Sequence, residues 1–557
     1  MSSENQDGDT LNDAQIQSNS EKVEAPKDEV IDSTGTTTPV VEEEDDYPHG
    51  IKLGLLTLAL CLSVFLVCLD STIIATAIPK ITDQFKSLDD VGWYGSSYLL
   101  TTAATQLLFG KFYTFLPVKW VYVVAISIFE IGSLICGAAP NSSTLIVGRA
   151  IAGLGSAGII SGALIIVAST VPLARRPIYT GMVGGTYGIA SVAGPLLGGV
   201  FTDKVTWRFC FYINLPIGAV TLAVVIFLFK MPKRGRIQHE PVTLSQRVAM
   251  FDPWGTLVFI PAIVSLLLAL QWGGSKYAWS NPKIIGLFVV FGVLILVFIG
   301  IQFWKQDAAT IPPRILKARS IWSSGFYAFC VGSAFFILTF YLPIWFQAIH
   351  GVTAVQSGID NLPMILSLVV ASMLSGIAIA VVGYYAPFMI ASSVIIAVGC
   401  GLISTLKTNS NHTKWIPYQF IVGIGVGLGQ QQPMLAAQAV LDLKDVPIGT
   451  SIIMFSQTLG GALFISIGQN VFTNKLVSGL LSRVPSVNPA DVLKAGATSL
   501  KNAVQPEVLG EVLSVYNDAL VAAFYVAIAM SSLSLFGALV VEWKNIKGKS
   551  IEMAVGA

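Results

Sequence analysis

The stretch "GIASVAGPLLGGV", Gly188 to Val200, decides how this chain is read. It is apolar enough to lie in a lipid bilayer. Yet four glycines and a proline, residues that weaken a helix, fall within it. Hydrocarbon removes the conflict. Helices in lipid gain little from burying apolar surface against one another, so close approach of their backbones must hold them. Gly188, Gly194, Gly198 and Gly199 take away bulk where a second helix or a ligand comes near. Pro195 deletes one backbone hydrogen bond and predicts a bend, which neighbouring helices can accommodate. The stretch therefore reads as a membrane span made for tight crossing beside a cavity.

Working outward, the same lipid-compatible character recurs. The 557 residues are 54% hydrophobic and 12% charged, about half the charge of an ordinary soluble domain. Fourteen apolar runs of near-span length follow one another, from 52–77 to 519–541. The predicted fold class is an all-α polytopic membrane protein. Residues 1–50 differ: 14 acidic residues against two lysines mark a disordered acidic tail. The rest, with 31 basic and 18 acidic side chains, is a basic membrane body. No apolar leader opens the chain, so the first span is expected to act as an uncleaved targeting signal. All six cysteines fall in apolar runs without metal-ligand spacing, so neither a disulfide frame nor a zinc site is expected.

Basic residues set the orientation. Arg175, Arg176, the 230–247 cluster, Lys305, Arg314, Lys317, Arg319 and the lysines after 541 share one side. That side is assigned to the cytoplasm, with both termini. The sequons at Asn141 ("NSS") and Asn411 ("NHT") then fall outside as candidate N-glycosylation sites. The amphiphilic 473–518 loop is expected to form short helices on the outer surface. A faint repeat supports two related halves: "GRAIAGLGSAG" is echoed by "YQFIVGIGVGLG", and "RRPIYTGM" by "DVPIGTSI", each about 270 residues on. Duplicated halves around a midplane site are a transporter pattern. The expected organisation is a tail (1–50), a six-helix bundle (51–230), a linker with two inserted helices (231–322), a second six-helix bundle (323–541) and a C-terminal tail (542–557).

Motif chemistry prunes the function classes. No phosphate-binding P-loop, zinc-protease motif or nucleophile elbow is present, so the chain is not read as an enzyme. "GLGSAG" at Gly153–Gly158 matches a dinucleotide pattern but lies inside an apolar helix, where close packing explains it. Charges within spans cost roughly 2.5–3.5 kcal/mol each at a helix centre. Asp70, late in the first span, and Arg149, early in the fourth, fall at similar depth because the two spans run in opposite directions. They are candidate partners in proton coupling, with Glu130 in the third span a further candidate. Either a functional carboxylate or a permanent structural pair fits them. Tyr98, Asn214, Tyr341, Gln347, Gln419 and Gln457 are candidate cavity residues, suited to a neutral or amphipathic solute.

Four of these stretches resemble one family. "LDSTIIATAIPKI" is similar to the first-helix motif of the fourteen-span drug:proton antiporters of the major facilitator superfamily. "LIVGRAIAGLGSAG" resembles the superfamily's fourth-helix motif, whose arginine is tied to proton coupling. "GIASVAGPLLGGV" resembles the antiporter motif of the fifth helix, and "WRFCFYINLPIG" the signature joining helices five and six. The resemblance implies two six-helix bundles plus two inserted helices, rocking around a central cavity. It implies export of a small amphipathic toxin, secondary metabolite or drug, as in fungal members, with the proton as coupling ion and no other cofactor. It also implies a monomer in the lipid bilayer, in the plasma membrane or else the vacuolar membrane, with no nucleic-acid partner. Import of a siderophore or other nutrient is the nearest rival, and a non-transporting membrane sensor a remote one. One loop departs from the family pattern. In "GKFYTFLPVKW", Gly110 and Lys119 persist, but Thr114, Pro117 and Val118 stand where aspartate, glycine and arginine are usual. The inner gate is therefore expected to use Gly110 and Lys119 with packing, or Arg175 and Arg176.

Overall fold

A computed structural model describes residues 48–87, 90–230, 249–274, 277–493, 500 and 504–547. The acidic tail, most of the basic linker and the end of the C-terminal tail lie outside the described residues. Among the described residues, fourteen long helices follow in order. The first six are α1 (Ile51–Phe85), α2 (Val91–Phe115), α3 (Val118–Ala138), α4 (Ser142–Thr170), α5 (Arg176–Lys204) and α6 (Asn214–Leu228, after the turn Phe209–Tyr212). The inserted pair is α7 (Pro253–Trp272) and α8 (Pro282–Lys305). The last six are α9 (Arg319–Trp345), α10 (Leu362–Val382), α11 (Ala386–Ile403), α12 (His412–Gly429, continued by Gln432–Val440), α13 (Val446–Arg483) and α14 (Pro506–Val540).

Eleven of these regions are long and apolar enough to cross a membrane. The others, α2, α5 and α12, carry Thr, Ser, Gln, Tyr and Gly among their aliphatic residues. Two of them have a positional reason: α2 packs on α13 and α5 on α10, along the seam between the bundles. In the first bundle α3 packs on α4, α2 on α4, and α1 on α5 and α6. In the second, α9 packs on α13 and α14, and α10 and α11 on α12. The inserted pair docks beside the seam through α7, where Phe259 meets Phe455 of α13 at 5.3 Å and Gln271 Nε2 donates to Ser96 Oγ of α2 at 2.6 Å. Val289, Val293, Leu296 and Phe303 leave α8 with an exposed apolar face, as a lipid-facing helix requires.

Glycine permits the closest crossings. On α4, a Cβ at Gly155 would stand 2.5 Å from the Phe129 nitrogen of α3, and one at Gly158 would stand 2.5 Å from the Phe109 ring of α2. The "GLGSAG" pattern is thus a packing surface. The repeat is also structural: 171–180 and 441–450 have the same turn-then-helix pattern, 270 residues apart. The division between the tenth and eleventh spans falls at Gly383, whose φ of 88° ends α10.

The 473–518 stretch meets expectation in part: a short helical segment lies at 489–493, but on either side of it α13 and α14 themselves run on as an antiparallel pair. Phe472 meets Tyr516 at 5.1 Å, and Arg483 Nη1 bonds Asp518 Oδ2 at 2.8 Å. The reason is that apolar residues continue in helical register: Leu476 and Leu480 on one helix, Val512 and Val515 on the other, all buried.

Candidate functional site

The helices alternate in direction, so their connections sort to two ends. The α2–α3, α4–α5, α6–α7, α8–α9, α10–α11 and α12–α13 connections share the end rich in Lys and Arg, the basic end. Asn141 and Asn411 are exposed together at the far end.

Between the middle of the first bundle and the far end, Asp70 of α1 and Arg149 of α4 form a buried ion pair, 0% and 1% exposed. Each group is oriented by others. Arg149 Nε donates to the Tyr94 carbonyl of α2 at 2.8 Å, and its guanidinium lies 4.4 Å over the Tyr98 ring. Tyr98 Oη donates to the Val67 carbonyl of α1 at 3.2 Å. On the other side, Asn214 Nδ2 of α6 donates to Asp70 Oδ1 at 3.3 Å and to Ser133 Oγ of α3 at 3.1 Å. Five helices thus converge on one carboxylate. Two charges in so dry a place need each other: losing one partner strands the other, at a cost of roughly 3–5 kcal/mol.

The Gly188–Val200 stretch packs on α1, the helix that carries Asp70. α5 continues unbroken through Pro195. Two residues beyond Asp70, Thr72 Oγ1 is 3.3 Å from the Ala190 carbonyl. A Cβ at Gly194 would collide with Thr72 Oγ1, and one at Gly198 would stand 2.7 Å from the Ile73 carbonyl. The opposite side of α5 meets the second bundle. Gly188 sits under Val369 of α10, a Cβ at Gly199 would touch Val355 at 3.2 Å, and Pro195 packs at Gly358. α5 is therefore the layer between the Asp70 helix and the other bundle.

The remaining candidates divide. Tyr98 and Asn214 belong to the charge cluster. Tyr341 Oη donates to the Ile465 carbonyl at 3.0 Å, Gln347 Nε2 to Ser357 Oγ at 3.0 Å, and Gln419 Nε2 to the Asp360 carbonyl at 3.0 Å. These three brace the second bundle. Gln457 is half-exposed on α13, against Gly332 of α9. Glu130 is buried on α3, one turn from Ser133.

The seam is closed at the basic end. α13 is wholly buried from Val446 to Ile453 and half-exposed from Met454 to Leu459. α2 is almost wholly buried from Thr102 to Lys111 and more open beyond, toward the far end. Gly110 permits the contact: a Cβ there would stand 2.7 Å from Ser451 Oγ and 3.3 Å from the Pro447 carbonyl of α13. A loop residue also crosses the seam, with Leu173 packing on the second bundle's core. Lys119 Nζ donates to the Ile226 carbonyl of α6 at 2.6 Å, and Arg176 Nε to the Val171 carbonyl at 2.9 Å, both inside the first bundle. Arg175 is exposed.

Sequence reasoning missed a polar strap at this end. Buried Lys111 of α2 donates to the Ala308 carbonyl at 3.2 Å. Six residues on, Arg314 grips both oxygens of Asp445, the residue before α13, at 2.6 and 2.8 Å, and bonds Asp307 at 2.6 Å. These bonds hold the Arg314 guanidinium firmly in its charged form. Asp252 Oδ2 anchors the strap to the inserted pair, accepting from Thr310 N and Oγ1 at 2.9 Å and from Gln302 Nε2 at 3.1 Å. The signal in the sequence was Asp445 itself, a carboxylate standing 270 residues after Arg175 in the repeat.

Residues 60–465 match the family model described as Major Facilitator Superfamily. The chain is 60% identical over 517 residues to the "MFS-type efflux pump MFS1" of Arthroderma benhamiae, covering 92% of this chain and 96% of that protein. It is 55% identical to "Efflux pump roqT" of Penicillium rubens, covering 88% and 91% of the two chains. It is 50% identical to "Efflux pump aflT" of Aspergillus parasiticus, covering 91% and 98%. Among solved structures, the proton:xylose symporter XylE superposes with a TM-score of 0.58 at 11% identity, covering 89% of this chain and 97% of that one, a likeness of fold alone. With a charge pair buried inside the first bundle, a duplicated architecture and relatives aligned along nearly its whole length, the chain belongs to the Major Facilitator Superfamily, as a transporter of its fungal efflux-pump branch.

Proposed function

We propose that the chain exports a small amphipathic organic compound, a secondary metabolite or toxin, in exchange for protons. All fourteen helices cross the membrane in this reading, with the basic end in the cytoplasm and the sequons outside, in the plasma membrane. The observation that carries it is the dry Asp70–Arg149 pair, whose carboxylate sits on α1, the helix packed on α5, which in turn meets the second bundle. A proton reaching Asp70 from the far end neutralises the carboxylate and releases Arg149, which keeps the Tyr94 carbonyl and the Tyr98 ring as partners. The packing of α1 on α5 then carries the change to the seam. The basic end opens, compound enters from the cytoplasm, and loss of the proton inward restores the pair. Each state is favoured only by contacts that the other lacks, as alternating access demands. The relatives' names speak for export over nutrient import or sensing.

Inside-out vesicles carrying the protein, made acidic inside, test this with a fluorescent amphipathic dye. Wild type should accumulate dye, and a protonophore should abolish the accumulation. Asp70→Asn, which keeps the shape but holds no coupling proton, should reduce accumulation to the level of protein-free vesicles. Full proton-driven accumulation by Asp70→Asn refutes the assignment.

A further inference from the structure

Glu130 is the buried ionisable group that this cycle leaves unused. It lies in the middle of α3, 9% exposed, and neither carboxyl oxygen has a hydrogen-bond partner among the described residues. The backbone makes room for it: a Cβ on Gly218 of α6 would collide with Glu130 Oε1. Gly218 is one turn from Asn214, and Glu130 one turn from Ser133, the two residues already joined beside Asp70. Glu130 and Asp70 therefore flank one small polar shelf between α3 and α6.

Their surroundings are opposite. Asp70 faces a guanidinium and an amide donor. Glu130 faces neither. From α6 it meets Gly218, on the buried face that also carries Asn214 and Thr221. The charged side chain of α4 at this end, Arg149, is committed to Asp70, and α1 contributes Asp70 itself. The other titratable groups on adjoining elements are thiols and phenols (Cys136 and Tyr122 on α3, Cys210 and Tyr212 in the 209–212 turn, Tyr94, Tyr98 and Tyr113 on α2, Cys61 and Cys68 toward the middle of α1) and two lysines at the basic end, Lys119 and Lys111, which bond the Ile226 and Ala308 carbonyls. A carboxylate without a cation or donor, in a dry site inside a membrane, is driven to take a proton. An unpartnered buried polar group of this kind calls for an explanation, and intramembrane ionisable residues most often serve function.

We infer that Glu130 is a second proton-binding carboxyl of the transport cycle, neutral while the basic end is shut and exchanging its proton as the α3–α6 shelf rearranges around Asp70. The inference rests on the proton-coupled reading above and adds a second site to it. The step is proton binding alone: one O–H bond forms on Glu130 and breaks again on release.

Infrared titration of the full chain in lipid nanodiscs reads this directly, without a substrate. At neutral pH wild type should show the carbonyl stretch of a protonated carboxyl. Glu130→Gln should lose that band, Asp70→Asn should keep it, and Glu130→Asp should restore it. Absence of the band in wild type, or its survival in Glu130→Gln, overturns the inference. A second measurement counts protons moved per dye molecule in the vesicles. Glu130→Gln should lower that ratio about twofold, while dye counterflow without a gradient continues. An unchanged ratio in Glu130→Gln, beside lost coupling in Asp70→Asn, overturns the Glu130 assignment and leaves Asp70 standing. Coupling lost in Glu130→Gln yet intact in Asp70→Asn supports Glu130 and removes Asp70.

Discussion

Gly110→Ala should force the basic end open. The added methyl would stand 2.7 Å from Ser451 Oγ and 2.8 Å from Ser451 Cβ, across the seam between the bundles. Contacts that short require something to move. Overpacking by one methyl in a dense contact costs typically 1–3 kcal/mol. Alanine also gains about 1 kcal/mol of helix propensity over glycine, but equally in both states, so that gain cancels from the equilibrium between them. The clash exists only while the end is shut. A differential of about 2 kcal/mol moves the ratio of open to shut about 30-fold. Ile448→Cys supplies the reporter, because Ile448 is buried on α13 between Pro447 and Ser451, the two residues that face Gly110 across the seam. A membrane-impermeant maleimide applied from the basic side should label it about 30-fold faster in the Gly110→Ala background. Ser451→Gly removes both offending atoms and should return the rate to the parental value. Unchanged labelling in a well-folded Gly110→Ala variant would refute the reasoning, and so would failure of Ser451→Gly to restore it.

Three further outcomes follow from the same geometry. Arg149→Ala strands Asp70 without its cation, at roughly 3–5 kcal/mol. Thermal unfolding should show a larger loss in alkaline than in acid buffer, because a proton on Asp70 removes the unpaired charge, and adding Asp70→Asn should recover most of it. Gly194→Leu drives a side chain into Thr72, so dye exchange should fall to background while the protein still elutes as a single species; wild-type exchange would contradict the role given to α5. Arg314→Ala cuts the strap from Asp445, whose side chain is only 6% exposed. Half the guanidinium is in solvent, so the loss is modest, about 1–2 kcal/mol. It should appear as faster labelling at Ile448→Cys, with Arg314→Lys recovering part of it, since an ammonium cannot form the paired bonds.

Much of this was legible in sequence because the bilayer imposes simple rules. Apolar runs of span length mark helices, and alternating direction fixes which loops share an end. Asp70 and Arg149 could be matched in depth from span direction alone, since a charge in lipid must find a partner. The 270-residue echo marked the duplicated halves. Gly194 and Gly198 could be read as points of close approach, because lipid leaves glycine little other use in a helix.

Which helix meets which was not legible, since periodicity says what a face is like and not what covers it. The glycines of α5 proved to serve two surfaces, Gly194 and Gly198 toward the Asp70 helix, Gly188 and Gly199 toward the second bundle. Tyr341, Gln347 and Gln419 turned out to brace one bundle, because a side-chain amide or phenol has the same composition whether it meets a ligand or a carbonyl. The extension of α13 and α14 past the apolar limit went unread because helices do not stop where hydrocarbon does. The strap from Lys111 to Asp445 joins residues more than 300 positions apart through one short connection. By itself the sequence determined the kind of fold, its two halves and the one pair of charges that had to meet. The tertiary structure alone decided that Glu130 has no partner among the described residues, that Gly110 permits the close contact at the basic end, and that α5 stands between the Asp70 helix and the second bundle. Those are facts about neighbours, and neighbours in a helical bundle are chosen by packing across long stretches of chain.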